Sequence, residues 1–353
     1  MTTSGGRGGK AARWLGLAAL SLAVSFALDL VRLPAAFLIG PLVSAVAVRL
    51  AGAELGLPRP AMMAAQATIG AMIGASLTPS IVTTFRADWP ILLAAVGATI
   101  VFANLTGWAL SRFGVVPGTT GVWGSSPGAA SAMVILSETH GGDIRLVAFM
   151  QYLRVLFVAS AASIVARVWL GGDAAAAAHV LFPPVDWPRL AATVGLIGGA
   201  AFVGVRARVP NGVMMGPLLV LAGLGGSGLF VPSLPPWLLI AAYAGLGWSI
   251  GLRFTREAIG HAARALPWIV VSILALMAFS AGLAAVLVVE VGVDPLTAFL
   301  ATSPGGLDTI AVIAASTPVD VSFVLALQVL RFFVLVFAGP ALSRLVARHL
   351  PKR

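Results

Sequence analysis

Long apolar runs broken by short polar or Gly/Pro-rich turns dominate the chain. In the first half they fall at about 12–30, 34–51, 61–78, 90–112, 118–138 and 145–170. In the second half they fall at about 189–205, 210–229, 236–254, 267–290, 296–317 and 320–347. All but the segments 118–138 and 296–317 read as unbroken helices near the ~20 residues needed to cross a ~30 Å hydrocarbon core. Those two carry Ser126-Pro127-Gly128 and Ser303-Pro304-Gly305. Proline removes a backbone donor and glycine relaxes the chain, so each is a natural break in a helix.

The breaks belong to a longer repeat. Ser126-Pro127-Gly128 is followed by Asp143, Gln151 and Arg154, and Ser303-Pro304-Gly305 by Asp320, Gln328 and Arg331, all at one offset of 177 positions. Similarity extends upstream, where Pro34 and Gly40-Pro41 resemble Pro210 and Gly216-Pro217, and Gly70 and Gly74 match Gly247 and Gly251. Such self-similarity indicates internal duplication. The organisation expected is a first membrane repeat over 1–170, a polar, Ala-rich connector over 171–188, and a second repeat over 189–353.

Composition sharpens the class. Of 353 residues, 59% are hydrophobic and 10% charged, with a mean hydropathy of +1.01. A soluble domain carries roughly 25% charged residues. The chain is therefore expected to be an all-α, multi-span integral membrane protein. The basic, Gly-rich start from Met1 to Arg13 leads into the apolar run Trp14–Leu28, read as a first, uncleaved transmembrane helix. The net charge of +10 comes from basic residues scattered singly between spans. They read as topology determinants and lipid-headgroup anchors, so the bilayer is the expected partner and nucleic acid is not.

Charge placement sets the expected sidedness. If each Ser-Pro-Gly segment dips in and returns, each half has five full crossings and the halves are inverted. Arg7, Lys10, Arg13, Arg49, Arg59 and Arg112 then share the cytoplasmic side with Arg206, Arg208, Arg253, Arg256, Arg264, Arg344, Arg348, Lys352 and Arg353. Arg32, Arg86 and Arg189 lie outside with Asp186, Glu290 and Asp294. Full crossing by those segments would instead move Arg206, Arg208, Arg253, Arg256 and Arg264 outside, against the positive-inside rule. The fold expected is an inverted internal repeat of about 5+5 transmembrane helices plus one broken or re-entrant helix per repeat. Both termini are expected in the cytoplasm, at the cell (inner) membrane.

The run Ser125-Ser126-Pro127-Gly128-Ala129-Ala130-Ser131-Ala132-Met133, then Gly141-Gly142-Asp143, then Met150-Gln151-Tyr152-Leu153-Arg154-Val155, resembles the AbrB-type membrane protein family. So does Thr302-Ser303-Pro304-Gly305-Gly306, then Asp320, then Leu327-Gln328-Val329-Leu330-Arg331. The resemblance spans nearly the whole chain and implies a duplicated membrane domain. Members carry labels of transporter, regulator of gene expression or ammonia monooxygenase. The family shares its name with a small soluble DNA-binding protein, whose fold nothing in this sequence resembles.

The candidate binding residues are Ser126, Pro127, Gly128, Gln151, Arg154, Ser303, Pro304, Gly305, Gln328 and Arg331. Intramembrane charge is functional by default. Arg154 and Arg331 have two readings: a planar fork for an anionic solute, or a structural pairing with Asp143, Asp308, Asp320 or backbone carbonyls. Gln151 and Gln328 share the arginines' helix face and either bond solute or join helices. Asp308, whose first-half counterpart is Ser131, either couples a proton or sodium ion or bridges to an arginine. Asp143 and Asp320 begin long helices and fit N-caps better than ligands.

The glycines at small-xxx-small spacing fit close helix packing and permit a homodimer. His140, His179, His261 and His349 are dispersed, and cysteine is absent, so no metal site, cofactor or catalytic nucleophile is expected. The leading expectation is a secondary transporter of a small anionic or polar solute, ion-coupled through Asp308. A membrane-embedded regulator of gene expression stands second, and a membrane monooxygenase third.

Overall fold

The structure is a computed structural model that describes residues 7–77, 80–127, 133, 137, 141–169, 182–209 and 211–347. The described residues are helical, with no strand among them. In chain order the helices are α1 (Arg7–Leu30), α2 (Ala36–Leu50), α3 (Arg59–Ser76), α4 (Ser80–Arg112), α5 (Thr120–Ser125) and α6 (Ile144–Trp169). They continue as α7 (Trp187–Arg206), α8 (Gly212–Gly226), α9 (Pro236–Gly251), α10 (Arg256–Ala262) and α11 (Leu266–Val291). The last are α12 (Pro295–Thr302), α13 (Leu307–Ala315) and α14 (Val321–Ala347).

Five helices are long and apolar enough to cross a membrane, or six if the bent pair α9–α10 is one span. The sequence-based segments at 34–51 and 210–229 shorten to the 15-residue helices α2 and α8. Each starts only after a left-handed residue, Ala35 (φ 57°) or Asn211 (φ 51°). Fifteen residues rise about 22 Å, short of a ~30 Å core. In the other direction, α4 starts at Ser80 and runs through Arg86, which the sequence reading left before its 90–112 span. After α9 the chain bends by 52° into α10, which begins just beyond the end of the segment 236–254 and was not among the helices read from the sequence. Thr255 accepts the Ala258 N–H there and so caps α10. Leu170 and the connector's residues 171–181 lie outside the described residues.

Packing is reciprocal between the halves. A Cβ on Gly70 or Gly74 of α3 would collide with the Met214 or Leu218 carbonyl of α8. A Cβ on Gly247 or Gly251 of α9 would collide with the backbone of α2 at Leu38 or Leu42. These contacts are the same pair seen twice, since Leu38 and Leu42 are the counterparts of Met214 and Leu218. The helices cross backbone to backbone, the arrangement that small residues permit.

The broken segments return to the level at which they start. Thr120, at the start of α5, accepts the backbone N–H of Asp143, just before α6, at 2.9 Å. Thr297 in the first turn of α12 accepts the Asp320 N–H, just before α14, at 3.1 Å. Both ends of each segment thus lie on one side, and the second, described throughout, is a hairpin.

The two hairpin mouths lie at opposite ends of α11. Asp143 pairs at 2.7 Å with His261, in the short helix leading into α11. The second mouth follows the C-terminal end of α11, where Gly292 (φ 77°) closes the helix and Asp294 caps α12. Twenty-six residues of α11 separate the two by about 39 Å.

Candidate functional site

A helix broken at membrane depth exposes its last carbonyls, which no water can satisfy. The repeated Gln and Arg satisfy them. On α6, Gln151 Nε2 donates to the carbonyls of Trp123 (2.9 Å) and Ser126 (3.0 Å). Arg154 Nη1 donates to Ser125 O and Ser126 O, each at 3.0 Å, and Nη2 to Gln151 Oε1 at 2.7 Å. On α14, Gln328 Nε2 donates to the carbonyls of Leu300, Ala301 and Ser303. Arg331 donates to Ser303 O (2.7 Å), Gly305 O (2.8 Å) and Gln328 Oε1. Spacing of three residues puts glutamine and arginine on one face, so they act as a unit.

Both units are deeply buried: Arg154 is 3% exposed and Arg331 5%, with Ser126, Pro127, Ser303, Pro304 and Gly305 buried beside them. The hairpins converge on the middle of α6, where a Cβ on Gly305 would meet Val158 as well as Ile310. The two guanidiniums are near enough to repel each other electrostatically. Gly128 and Ser131 lie outside the described residues.

Of the structural pairings open to the arginines, the geometry forms those to carbonyls and none to Asp143, Asp308 or Asp320. Asp308 sits half-buried in the first turn of α13 and accepts the Thr309 N–H at 2.9 Å. It bridges to neither arginine. Asp143 Oδ1 accepts the Arg145 (2.9 Å) and Leu146 (3.1 Å) amides, and Asp320 Oδ1 accepts the Phe323 amide (2.9 Å), so both cap their helices.

Sequence reasoning missed a polar cluster at the α6–α10 corner. A cavity of about 380 Å³ opens there, lined by Phe149, Tyr152, Arg253 and Phe254 among others. The Arg253 guanidinium lies 4.6 Å from the centre of the Tyr152 ring. Arg145 pairs with Glu257 at 2.8 Å in the open. Burial would raise the Asp143 carboxyl, but the hydrogen bond and charge of His261 and the two capping amides outweigh it and hold it below the ordinary carboxylate range. Tyr152, beside Gln151 in the repeated block, was the one available signal; the partners of His261 and Arg253 lie more than 100 positions away.

Long apolar helices, broken hairpins and buried guanidiniums among carbonyls define a multi-helix membrane protein. The sequence profile described as "Transition state regulatory protein AbrB" matches residues 37–347, and the chain belongs to this AbrB family. It is 47% identical to "Putative regulator AbrB" of Escherichia coli (strain K12) over 343 residues, 97% of this chain and 98% of that one. It is 27% identical to "Uncharacterized protein YhjN" of Bacillus subtilis (strain 168), over 93% of this chain and 91% of that one. No solved structure matches the chain significantly.

Proposed function

We propose that the protein is a secondary transporter of a small anionic or polar solute, built as an inverted repeat of five crossings and one re-entrant hairpin per half. The observation that carries this reading is the meeting of two broken hairpins, from opposite ends of α11, at a buried pair of guanidiniums. Broken helices meeting between inverted repeats are where secondary transporters bind solute. Ten crossings require the short α2 and α8 to span by burying their ends in protein. In this reading residues 1–170 and 189–353 are the two repeats, and the distribution of positive charge favours both termini in the cytoplasm at an inner membrane. Asp308, free of any arginine, carries the coupling proton or sodium ion.

The test is flux in proteoliposomes. Solute uptake should follow an imposed proton or sodium gradient, and Asp308→Asn should remove the gradient dependence. Absence of flux for every small anion and polar solute tried, in protein shown to be folded, would reject the reading. The names of the family and of its E. coli relative favour a second one, a membrane-embedded regulator acting through a partner. Its regulatory effect would survive substitutions that abolish flux.

A further inference from the structure

The two arginines are twins in sequence but not in satisfaction. Arg331 spends its donors on the second break, and none of its nitrogens is left buried without a partner. Arg154 keeps a buried Nε–H with no partner, and the neighbouring Ser125 Oγ is buried and unpartnered as well. Both residues line one small, partly open pocket of about 10 Å³ between α4, α5, α6 and α11. That volume admits the centre of about one water-sized particle. Thr106 of α4 and Ser272 of α11 also line it, but their hydroxyls already donate to the Ala103 (2.9 Å) and Ile269 (2.8 Å) carbonyls of their own helices, so Arg154 Nε and Ser125 Oγ are the donors it offers.

The charge balance of this spot is one-sided. Among the described residues Arg154 is a buried cation with no carboxylate partner, and Arg331 adds to the positive potential. Uncompensated buried charge is costly, and a bound anion offsets that cost while satisfying both orphan donors. A water would satisfy the donors but leave the charge.

We propose that this cavity is a site for one small monovalent anion, a halide or the carboxylate of a larger solute, bound by Arg154 Nε and Ser125 Oγ. In this arrangement Arg154 recognises the anion and Arg331 only seals its break. The inference deepens the transporter reading and rests on it for the solute's role; the binding itself does not depend on flux. The residues of α11 that close the cavity are Ile269, Ser272, Ile273 and Leu276, so a larger carboxylate would enter by displacing that helix.

The purified full chain is unfolded by heat in detergent, followed by tryptophan fluorescence, while sodium chloride or sodium acetate replaces sodium isethionate, which is neither a halide nor a carboxylate, at constant ionic strength. Each variant is compared with itself with and without the anion, so altered baseline stability does not matter. The expected result is a saturable rise in the unfolding midpoint, kept in Arg331→Lys, lost in Arg154→Lys, and weakened about tenfold in apparent affinity in Ser125→Ala. Saturation by chloride alone identifies a halide site; saturation by acetate identifies a carboxylate site. No saturable effect of either anion, or equal losses in Arg154→Lys and Arg331→Lys, overturns the proposal. Saturable binding without flux would keep this site and reject the transporter, whereas flux without binding would do the reverse.

Discussion

Replacing Gln328 with leucine keeps the volume but removes the amide that holds the second break together. Its Nε2 donates to the carbonyls of Leu300, Ala301 and Ser303, and its Oε1 accepts from Arg331. A buried group left unsatisfied costs about 1–3 kcal/mol, while hydrogen bonds measured within membrane proteins average only about 0.6 kcal/mol. Two donated N–H groups and one bond to a charged donor together suggest a loss of about 2–4 kcal/mol. The twin substitution Gln151→Leu strips the carbonyls of Trp123 and Ser126 and one acceptor of Arg154, so its cost should match within about 1 kcal/mol. Reversible unfolding by sodium dodecyl sulfate in mixed micelles measures both. A change below about 0.5 kcal/mol in both would mean that the break carbonyls reach water, and would refute the capping argument. A large loss in only one would refute the equivalence of the two hairpins.

Three further outcomes follow from the geometry. Gly74→Ala places a methyl against the Leu218 carbonyl backbone and should cost about 1–3 kcal/mol, whereas Gly97→Ala, with open space around it, should be neutral or slightly stabilising; the same unfolding assay compares them. Thr120→Val and Thr297→Val remove the oxygen that closes each hairpin mouth, and each should destabilise by about 1 kcal/mol and raise hydrogen exchange at Asp143 or Asp320. Because the folded Asp143 carboxyl titrates below its unfolded value, its contribution is present above the ordinary carboxylate pKa of ~3.9 and is lost as pH falls through the lower folded value. His261→Ala should therefore flatten the acid limb of an unfolding-versus-pH profile, and an unchanged limb would show that the pair does not act.

The twin Gln–Arg units were legible because duplication repeats their spacing, and three-residue spacing fixes a shared helix face. Which partner they take was not, since carbonyls and carboxylates answer a guanidinium equally well on paper. The structure chooses carbonyls because the breaks free them at the same depth. Asp308 shows the limit from the other side: its sequence marks a buried acid, but the fold leaves it half-buried in the first turn of α13, accepting the Thr309 amide and bridging to neither arginine. The long helices α1, α7 and α11 follow directly from apolar run length. Helix α10 does not, because its seven residues dock on the start of α6 through His261–Asp143 and Arg145–Glu257, contacts separated by over 100 positions. The start of α2 was equally hidden, for the left-handed Ala35 is a residue that rarely adopts that conformation, whereas Asn211 before α8 readily does and was a signal left unread.

The account rests on hairpin mouths that open on opposite faces of the membrane, and a chain without cysteine permits a direct reading. Single cysteines are placed by Arg145→Cys and Glu290→Cys, both exposed positions, the first beside one mouth and the second at the α11 end that leads to the other. Intact spheroplasts are then treated with a membrane-impermeant maleimide. The account predicts labelling of the Glu290→Cys chain from outside and of the Arg145→Cys chain only after permeabilisation. Labelling of both from the same face would contradict it.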